Sequence, residues 1–315
     1  MQRTMQVRDW AMLLSLALVF GSAFFLGDLG LRSFGPLTVA AARVAIAAAI
    51  LSAVAFLRGR RFPNDAKTWF ALLVMGALNN AIPFSLIFWG QTRIDSGLAA
   101  ILNATTPIFT VLLAHLVGDE RLSLRRLAGV LFGFAGVAVL IGPAAISHLD
   151  PTDVAELAIL LAAVCYALAG LWGRQFRGLP TEVAAAGMLI ASSAIMLPVA
   201  AWAEHPWTMS PTVTSLVAIA ALGLLSTAVA YLLYFRLLAR VGATNLLLVT
   251  FLLPVVALVL GALFLGEHVP AIDLMGLALI LAGLAAIDGR IFGRFRATGP
   301  GAGATSGSPP DSRPS

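Results

Sequence analysis

Charged residues are scarce in this chain. Only 11% of its 315 residues are charged, whereas 60% are hydrophobic, and the mean hydropathy is +0.94. A soluble globular domain cannot bury that much apolar surface, because its outer layer has to be largely polar. The composition therefore excludes the soluble classes and indicates a polytopic protein of a cell membrane, whose surroundings are the lipid bilayer.

Several chemical motifs are also missing. The single cysteine, Cys165, allows neither an intramolecular disulfide nor a multi-cysteine metal site. The sequence contains no glycine–lysine nucleotide loop and no HExxH motif, so we expect no ATP hydrolysis, no metal, no cofactor and no enzymatic activity. The basic residues lie in short loops and form no continuous basic face, which argues against a nucleic-acid partner.

Acidic residues are absent from the middle of the apolar segments. All fifteen lie in loops or close to the ends of predicted helices. A proton-driven exporter of cations would need a carboxylate at mid-membrane. Phosphate-bearing substrates would need several basic groups in the pathway, and only Arg43 is available. These absences favour a small-molecule substrate with little net charge.

Long apolar runs are what the sequence does contain. A run of about 20 residues spans a bilayer, and the short loops between the runs make neighbouring helices antiparallel. A Gly/Pro/Ser-rich tail at 298–315 is expected to be disordered. We predict ten transmembrane helices, at 10–29, 36–57, 67–91, 96–117, 124–142, 154–173, 182–203, 211–235, 243–265 and 271–291.

The distribution of Lys and Arg predicts the orientation. If the N-terminus is cytoplasmic, 17 of the 20 basic residues lie on the cytoplasmic side and two lie outside, while Arg43 is in the membrane. Because cytoplasmic loops carry the excess of basic residues, we expect both termini to be cytoplasmic.

The chain repeats itself. Pro107 and Glu120 in the first half match Pro254 and Glu267 in the second, with an offset of 147 residues in each case. Five helices form one copy, and since five is odd, the second copy enters the membrane inverted. We therefore predict an all-α integral membrane fold of two inverted five-helix repeats around a central cavity, an arrangement suited to alternating access. The predicted units are a cytoplasmic segment at 1–9, the first repeat at 10–142, an outside linker at 143–153, the second repeat at 154–292 and a disordered cytoplasmic tail at 293–315.

Four stretches carry a resemblance to a known family. They are FGSAFF (20–25), AAARVAIA (40–47), NATTPIFTVLLAHLVGDERL (103–122) and its echo TFLLPVVALVLGALFLGEHV (250–269). In these features the chain resembles the drug/metabolite transporter superfamily, in its ten-helix EamA family, whose members include exporters of amino acids and other small metabolites. The resemblance implies a cavity walled by helices one, three, four, six, eight and nine, and a location such as the bacterial inner membrane.

Polar residues within membrane helices tend to face the protein interior. In the repeat, Asn79 and Asn80 match Ser226 and Thr227, and aromatic residues follow each pair at helical spacing. The alternative is that the polar groups hold helices together and the aromatics are ordinary core. Pro83, Pro107 and Pro254 are expected to break their helices. The candidate substrate-binding residues are Asn79, Asn80, Phe84, Phe88, Asn103, Tyr166, Ser226, Thr227, Tyr231 and Tyr234.

Arg43 is the exception to this pattern, a cation inside an apolar run. It lies seven residues after Pro36, roughly 10 Å deep at 1.5 Å per residue. Asn103 is at matched depth in helix four, so we expect Arg43 to contact Asn103 or the helix-four backbone, with Asp28 as a weaker candidate. Three interpretations stay open: a structural clamp, a group that binds a substrate carboxylate, and a side chain that snorkels to the surface.

Amide and hydroxyl groups suit a zwitterionic head group, and aromatic walls suit an apolar side chain. The sequence therefore favours a transporter that exports small metabolites, above all neutral or aromatic amino acids, by facilitated alternating access. The alternatives are a channel-like protein, a non-transport membrane scaffold, or an exporter of another small neutral metabolite or drug. Both a monomer and a homodimer are compatible with the sequence.

Overall fold

The computed structural model describes residues 6–117, 123–141, 151–176, 178–246 and 249–288. Within these ranges all regular secondary structure is helical. Seven helices are long and apolar enough to cross a membrane, and three shorter apolar helices lie at 127–140, 252–265 and 271–286. The structure thus agrees with the prediction of an all-α integral membrane protein.

We label the main helical segments in chain order. Two of them contain an internal π-turn, one is split, and one ends in a π-turn. They are α1 (Val7–Leu31), α2 (Pro36–Leu57), α3 (Ala66–Gly90, with a π-turn at Ala77–Ala81), α4 (Ser96–Asn103 and Thr106–Leu116), α5 (Leu124–Ile141), α6 (Pro151–Trp172), α7 (Thr181–Glu204), α8 (Val213–Gly223, the π-turn Leu224–Val229 and Ala230–Leu246), α9 (Val249–Leu260 and the π-turn Gly261–Leu265) and α10 (Ala271–Asp288).

Helix α8 runs 11 residues past its predicted end at 235. Its extension keeps an apolar face, because Leu237 and Val241 are buried. Arg240 on the same stretch pairs with Asp9 at the start of α1, with 2.8 Å between Nε and Oδ1. These contacts explain why the helix continues where the sequence suggested a loop.

The prolines behave in three different ways. Pro107 accompanies a true break, since α4 is interrupted at 104–105 and the hydroxyl of Thr106 donates to the carbonyl of Asn103. Pro83 follows a π-turn within α3, and the helix continues. The prediction of a break at Pro254 is wrong, because this residue lies inside α9. It is the sixth residue of that helix, so only the bond to the carbonyl four residues earlier is lost.

Polar caps begin several helices outside the apolar segments. The side chain of Asp65 accepts a hydrogen bond of 2.8 Å from the backbone N–H of Thr68, which caps α3. Hydrogen bonds from Thr68 hold the pKa of Asp65 below its ordinary value. At the end of the bundle opposite to Asp65, two glutamates have the same function. Glu204 accepts hydrogen bonds from the first backbone N–H groups of α2, and Glu267 accepts them from the first backbone N–H groups of α4.

Each half of the chain packs mainly against the other half. Helix α1 packs on α8 and α9, and α6 packs on α3 and α4; α2 lies along α7, and α5 lies along α10. The two largest clusters of buried apolar side chains therefore lie at the junction of the two halves. Any site between the halves has walls from both of them.

Glycines allow α5 and α10 to approach closely. A Cβ atom on Gly283 would lie 2.6 Å from the backbone oxygen of Gly129, and one on Gly136 would lie 2.8 Å from the backbone oxygen of Gly276. Such distances are too short for a side chain, so the two helices touch through their backbones.

We therefore expect Gly283→Ala to lower the free energy of unfolding by about 1–3 kcal/mol, since the methyl group has to push α5 away from α10. Thermal unfolding of the purified protein in detergent measures this. Gly170→Ala is the matched control, because no described atom lies within 4 Å of a Cβ placed there, and alanine is the better helix former. Equal melting temperatures for the two variants would contradict the close packing.

Candidate substrate-binding cavity

Two π-turns lie at corresponding positions of the two halves. The first spans Ala77–Ala81 in α3, and the second spans Leu224–Val229 in α8. The second π-turn begins 147 residues after the first. A π-turn inserts a residue into a helix and frequently marks a functional position. Each π-turn carries one of the polar pairs that the sequence singled out, the asparagines in the first and Ser226 with Thr227 in the second.

A cavity of about 570 Å³ lies between these turns. Its size is within the range of about 300–1,000 Å³ that is typical of small-molecule sites. Helices α1, α3, α4, α6, α8 and α9 all contribute to its wall, as the resemblance implied. Among the ten predicted substrate-binding residues, nine line it: Asn79, Phe84, Phe88, Asn103, Tyr166, Ser226, Thr227, Tyr231 and Tyr234.

Asn80 is the exception. Its side chain is fully buried behind the wall, and its amide donates a hydrogen bond of 3.0 Å to the hydroxyl of Ser192 on α7. Ser192 in turn donates to the backbone oxygens of Gly76 and Met188. Asn80 therefore joins α3 to α7. This agrees with the alternative that the polar groups hold helices together.

Asn79 and Tyr231 meet across the cavity. The amide of Asn79 donates to the phenolic oxygen of Tyr231 at 2.9 Å, and the Tyr231 hydroxyl donates to Asn80 Oδ1 at 3.4 Å. This bridge joins α3 of the first half to α8 of the second. It places one amide and one hydroxyl group at the cavity wall. The hydrogen bond to Asn80 holds the Tyr231 hydroxyl in position from behind the wall.

Arg43 also lines the cavity, and its predicted partner was wrong. Its Nε donates to Thr227 Oγ1 at 2.8 Å, and Nη2 donates to the backbone oxygen of Ser226 at 3.3 Å, so Arg43 contacts the π-turn of α8. Within the part of α4 that the structure describes, it has no hydrogen-bond partner. Asp28, the weaker candidate, pairs instead with Arg32. Equal depth in the membrane does not bring two residues together, because the side chain of Arg43 extends from α2 toward α8, which packs against it.

Arg43 is only 8% exposed, which excludes the interpretation that its side chain snorkels to the surface. Its central carbon lies 3.9 Å above the ring of Phe84 and 6.0 Å from the ring of Phe88. Both distances are within the range of a cation–π contact. The arginine is thus held by neutral groups of the opposite half and by aromatic faces of α3.

Aromatic side chains form much of the remaining wall. All three tyrosines of the chain lie there. The rings of Tyr231 and Phe235 stack with 6.2 Å between their centroids, and Tyr234 packs edge-on against Phe235 at 5.4 Å. The cavity is therefore suited to an apolar or aromatic group of a bound molecule.

One end of the cavity is closed and the other is exposed. At the closed end, Phe88 and Gln91 are buried against α1, where a Cβ on Gly27 would contact both of them. At the other end the lining includes exposed Gly170 and Thr181, where α6 ends and α7 begins. The exposed end of the cavity therefore lies on the side at which α1 begins.

The sequence singled out neither α7 nor Gln91 as part of this wall. Helix α7 contributes Ala184, Ala185 and Met188, which carry no polar signal of their own. The alignment of this stretch with the one that contains Arg43 could have indicated them. Gln91 was also missed, because it lies just beyond the end of α3 and no match in the repeat singled it out.

Comparisons with known proteins agree with this architecture. The EamA-like transporter family matches residues 10–142 and 154–287. A "Probable terminal-alkyne amino-acid exporter" of Streptantibioticus cattleyicolor is 31% identical over 91% of this chain and 95% of its own length. An "Uncharacterized inner membrane transporter YedA" of Escherichia coli K12 is 26% identical over 85% of this chain and 87% of its own length. A crystal structure described only as that of a protein superposes with a TM-score of 0.66 at 21% identity, covering 94% of this chain and all of the other.

The family match covers most of the chain, and the relatives are named as transporters. With the apolar helices, this identifies a multi-pass membrane transporter and not an enzyme, as the sequence predicted. The chain belongs to the EamA-like transporter family.

Proposed function

We propose that this transporter exports small metabolites, above all neutral or aromatic amino acids, by facilitated alternating access. The observation that carries the proposal is the central cavity, which has walls from both halves of the chain, one exposed end and one closed end. A cavity of this kind is expected of a carrier caught in one of its two states.

The proposal includes two inverted five-helix repeats. The matched π-turns support it, as does the reciprocal packing in which α1 meets α8 and α9 while α6 meets α3 and α4. If the halves are related by inversion, exchanging their conformations closes the exposed end and opens the closed one. The same binding residues then face both sides of the membrane in turn.

The excess of basic residues on the side of the N-terminus supports a cytoplasmic location of both termini. In that orientation the exposed end of the cavity, where α1 begins, faces the cytoplasm. The lining residues that the structure describes include no Asp or Glu. A facilitated mechanism that follows the substrate's own gradient fits such a lining better than proton exchange on a central acid.

Two features favour an amino-acid substrate. The Asn79–Tyr231 bridge offers polar groups beside Arg43, and the stacked rings of Tyr231 and Phe235 offer an apolar surface. In addition, the relative from Streptantibioticus cattleyicolor is named as a probable exporter of an amino acid. A channel is the second candidate, but the closed end at Phe88 and Gln91 favours a carrier, since an open pore has no such closure.

In liposomes containing the purified protein, we expect counterflow of labelled L-phenylalanine or L-leucine. Asn79→Ala and Tyr231→Ala should reduce the initial rate roughly tenfold or more, because each removes a polar contact of the cavity. Ser193→Ala is the control, since the Ser193 hydroxyl bonds to the backbone of its own helix and lies outside the cavity lining. An imposed pH gradient should not drive accumulation.

Unchanged flux in both cavity variants would refute the site assignment. Flux far above carrier rates, without counterflow, would show a channel. Accumulation of the substrate against its gradient under an imposed pH gradient would contradict the facilitated mechanism.

The neighbouring asparagines should differ in what they do. Asn80→Ala should lower the free energy of unfolding by about 1–3 kcal/mol, because it removes a buried link between α3 and α7. Asn79→Ala, at the cavity wall, should change it by less than about 1 kcal/mol, since Tyr231 keeps its bond to Asn80. Thermal unfolding in detergent compares the two. An equal loss of stability in both variants would contradict the separation of structural and cavity-facing roles.

A further inference from the structure

Three polar side chains of the cavity have a charge or a hydrogen-bond acceptor that is unpaired among the residues that the structure describes. Arg43 forms no ion pair with a carboxylate among the described residues. The side-chain carbonyl oxygens of Gln91 and Asn103 are buried and accept no hydrogen bond from any residue that the structure describes. All three residues line the same cavity. Buried polar atoms without partners are uncommon in proteins and call for a specific explanation.

Among the described residues, Arg43 has neither a negatively charged partner nor a full set of hydrogen-bond acceptors. Its two described bonds go to a hydroxyl and a backbone carbonyl, and Nη1 has no acceptor in the described part of the chain. A buried cation without a counter-ion is costly, and bidentate carboxylate is the anion that best matches a guanidinium. The cavity therefore offers a binding position for a carboxylate group.

Gln91 offers the opposite polarity. Its Nε2 donates to the backbone oxygen of Phe24 at 2.8 Å, and this bond fixes which end of the amide is the oxygen. Gln91 is only 6% exposed, and its Oε1 atom is itself buried. A carbonyl oxygen held in this way is an acceptor for an N–H donor, and Asn103 Oδ1 provides a second one.

The ring of Phe88 lies between the two kinds of group. Its centroid is 6.0 Å from the Arg43 guanidinium carbon. On the side of α1, a Cβ on Gly27 would lie 2.5 Å from this ring and 3.2 Å from Gln91 Oε1. Arg43, Phe88 and Gln91 thus follow one another along the closed end of the cavity. They are close enough together for one small molecule to contact all three.

We propose that this end of the cavity binds the head group of an α-amino acid, in a subsite that requires both of its charges. Arg43 binds the carboxylate, and the carbonyl oxygens of Gln91 and Asn103 accept hydrogen bonds from the ammonium group. The side chain of the substrate extends toward the aromatic wall at Tyr231 and Phe235. This inference rests on the proposed transport of amino acids and adds the groups that recognise the zwitterion.

Binding of three ligands to the purified protein tests the subsite. L-phenylalanine carries both charges, L-phenylalaninamide lacks the carboxylate, and 3-phenylpropionate lacks the ammonium group. Isothermal titration should show phenylalanine binding about tenfold or more tighter than either analogue, because each analogue leaves one buried group of the site unpaired.

Two variants separate the roles. Arg43→Gln should weaken phenylalanine and 3-phenylpropionate about tenfold or more and leave the amide nearly unchanged. Gln91→Leu should weaken phenylalanine and the amide and leave 3-phenylpropionate nearly unchanged. A purely structural role for either residue would instead weaken all three ligands by the same factor. If Arg43→Gln fails to fold, Arg43→Lys replaces it, with the carboxylate preference reduced but kept because the charge is kept and the planar fork is lost.

The proposal is overturned if the wild-type protein binds the amide or 3-phenylpropionate as tightly as phenylalanine, or if each variant weakens all three ligands equally. Normal counterflow of phenylalanine together with either result would leave the transport function standing and remove only the head-group assignment. Binding selectivity as expected, without counterflow, would remove the transport mechanism and leave the subsite. Absence of binding by all three ligands would overturn the subsite and the amino-acid substrate together.

Discussion

The contact between Arg43 and the π-turn of α8 is the constraint on which the cavity depends. A guanidinium this deeply buried is stable only where its hydrogen bonds and charge are met, and the chain supplies Thr227 Oγ1, the Ser226 carbonyl and the face of Phe84. These neutral partners meet part of the requirement and supply no negative charge. The contact therefore joins the two halves without neutralising the charge of Arg43. We propose that Arg43 both clamps the halves together and binds the carboxylate of the substrate.

The π-turns explain how polar side chains reach this region without exposing the backbone to lipid. Inside a bilayer each backbone N–H and C=O has to find a partner within the protein, and a π-turn keeps the helix hydrogen-bonded while it changes the face that following residues present. In α3 this separates two adjacent asparagines, with Asn79 at the cavity wall and Asn80 bonded to Ser192 behind it. In α8 it directs Thr227 toward Arg43, and Thr227 also donates to the backbone oxygen of Leu222. The pairing of polar groups across the halves thus follows from two local distortions of helices.

Hydropathy and residue spacing were sufficient to predict an all-helical membrane protein and nine of the residues that line the cavity, because burial in lipid and in a shared core depends on composition and helical period. The contacts between helices were less predictable. Depth along a helix follows from residue number, but the direction of a side chain around the helix axis does not. For this reason Asn103 was predicted as the partner of Arg43, whereas the structure shows Thr227. Pro254 shows that a proline near the start of a helix removes one bond without ending the helix. Gln91 is recognisable only from an oxygen without a donor, which no sequence pattern reveals.

We propose that one cavity at the junction of the halves binds the substrate, with the substrate carboxylate on Arg43. An experimental structure of the protein with bound L-phenylalanine tests this most directly. We expect carboxylate oxygens at about 3 Å from the Arg43 guanidinium, the ammonium group beside the carbonyl oxygens of Gln91 and Asn103, and the phenyl ring against Tyr231 and Phe235. A ligand bound elsewhere, or one in this cavity whose carboxylate faces away from Arg43, would contradict it.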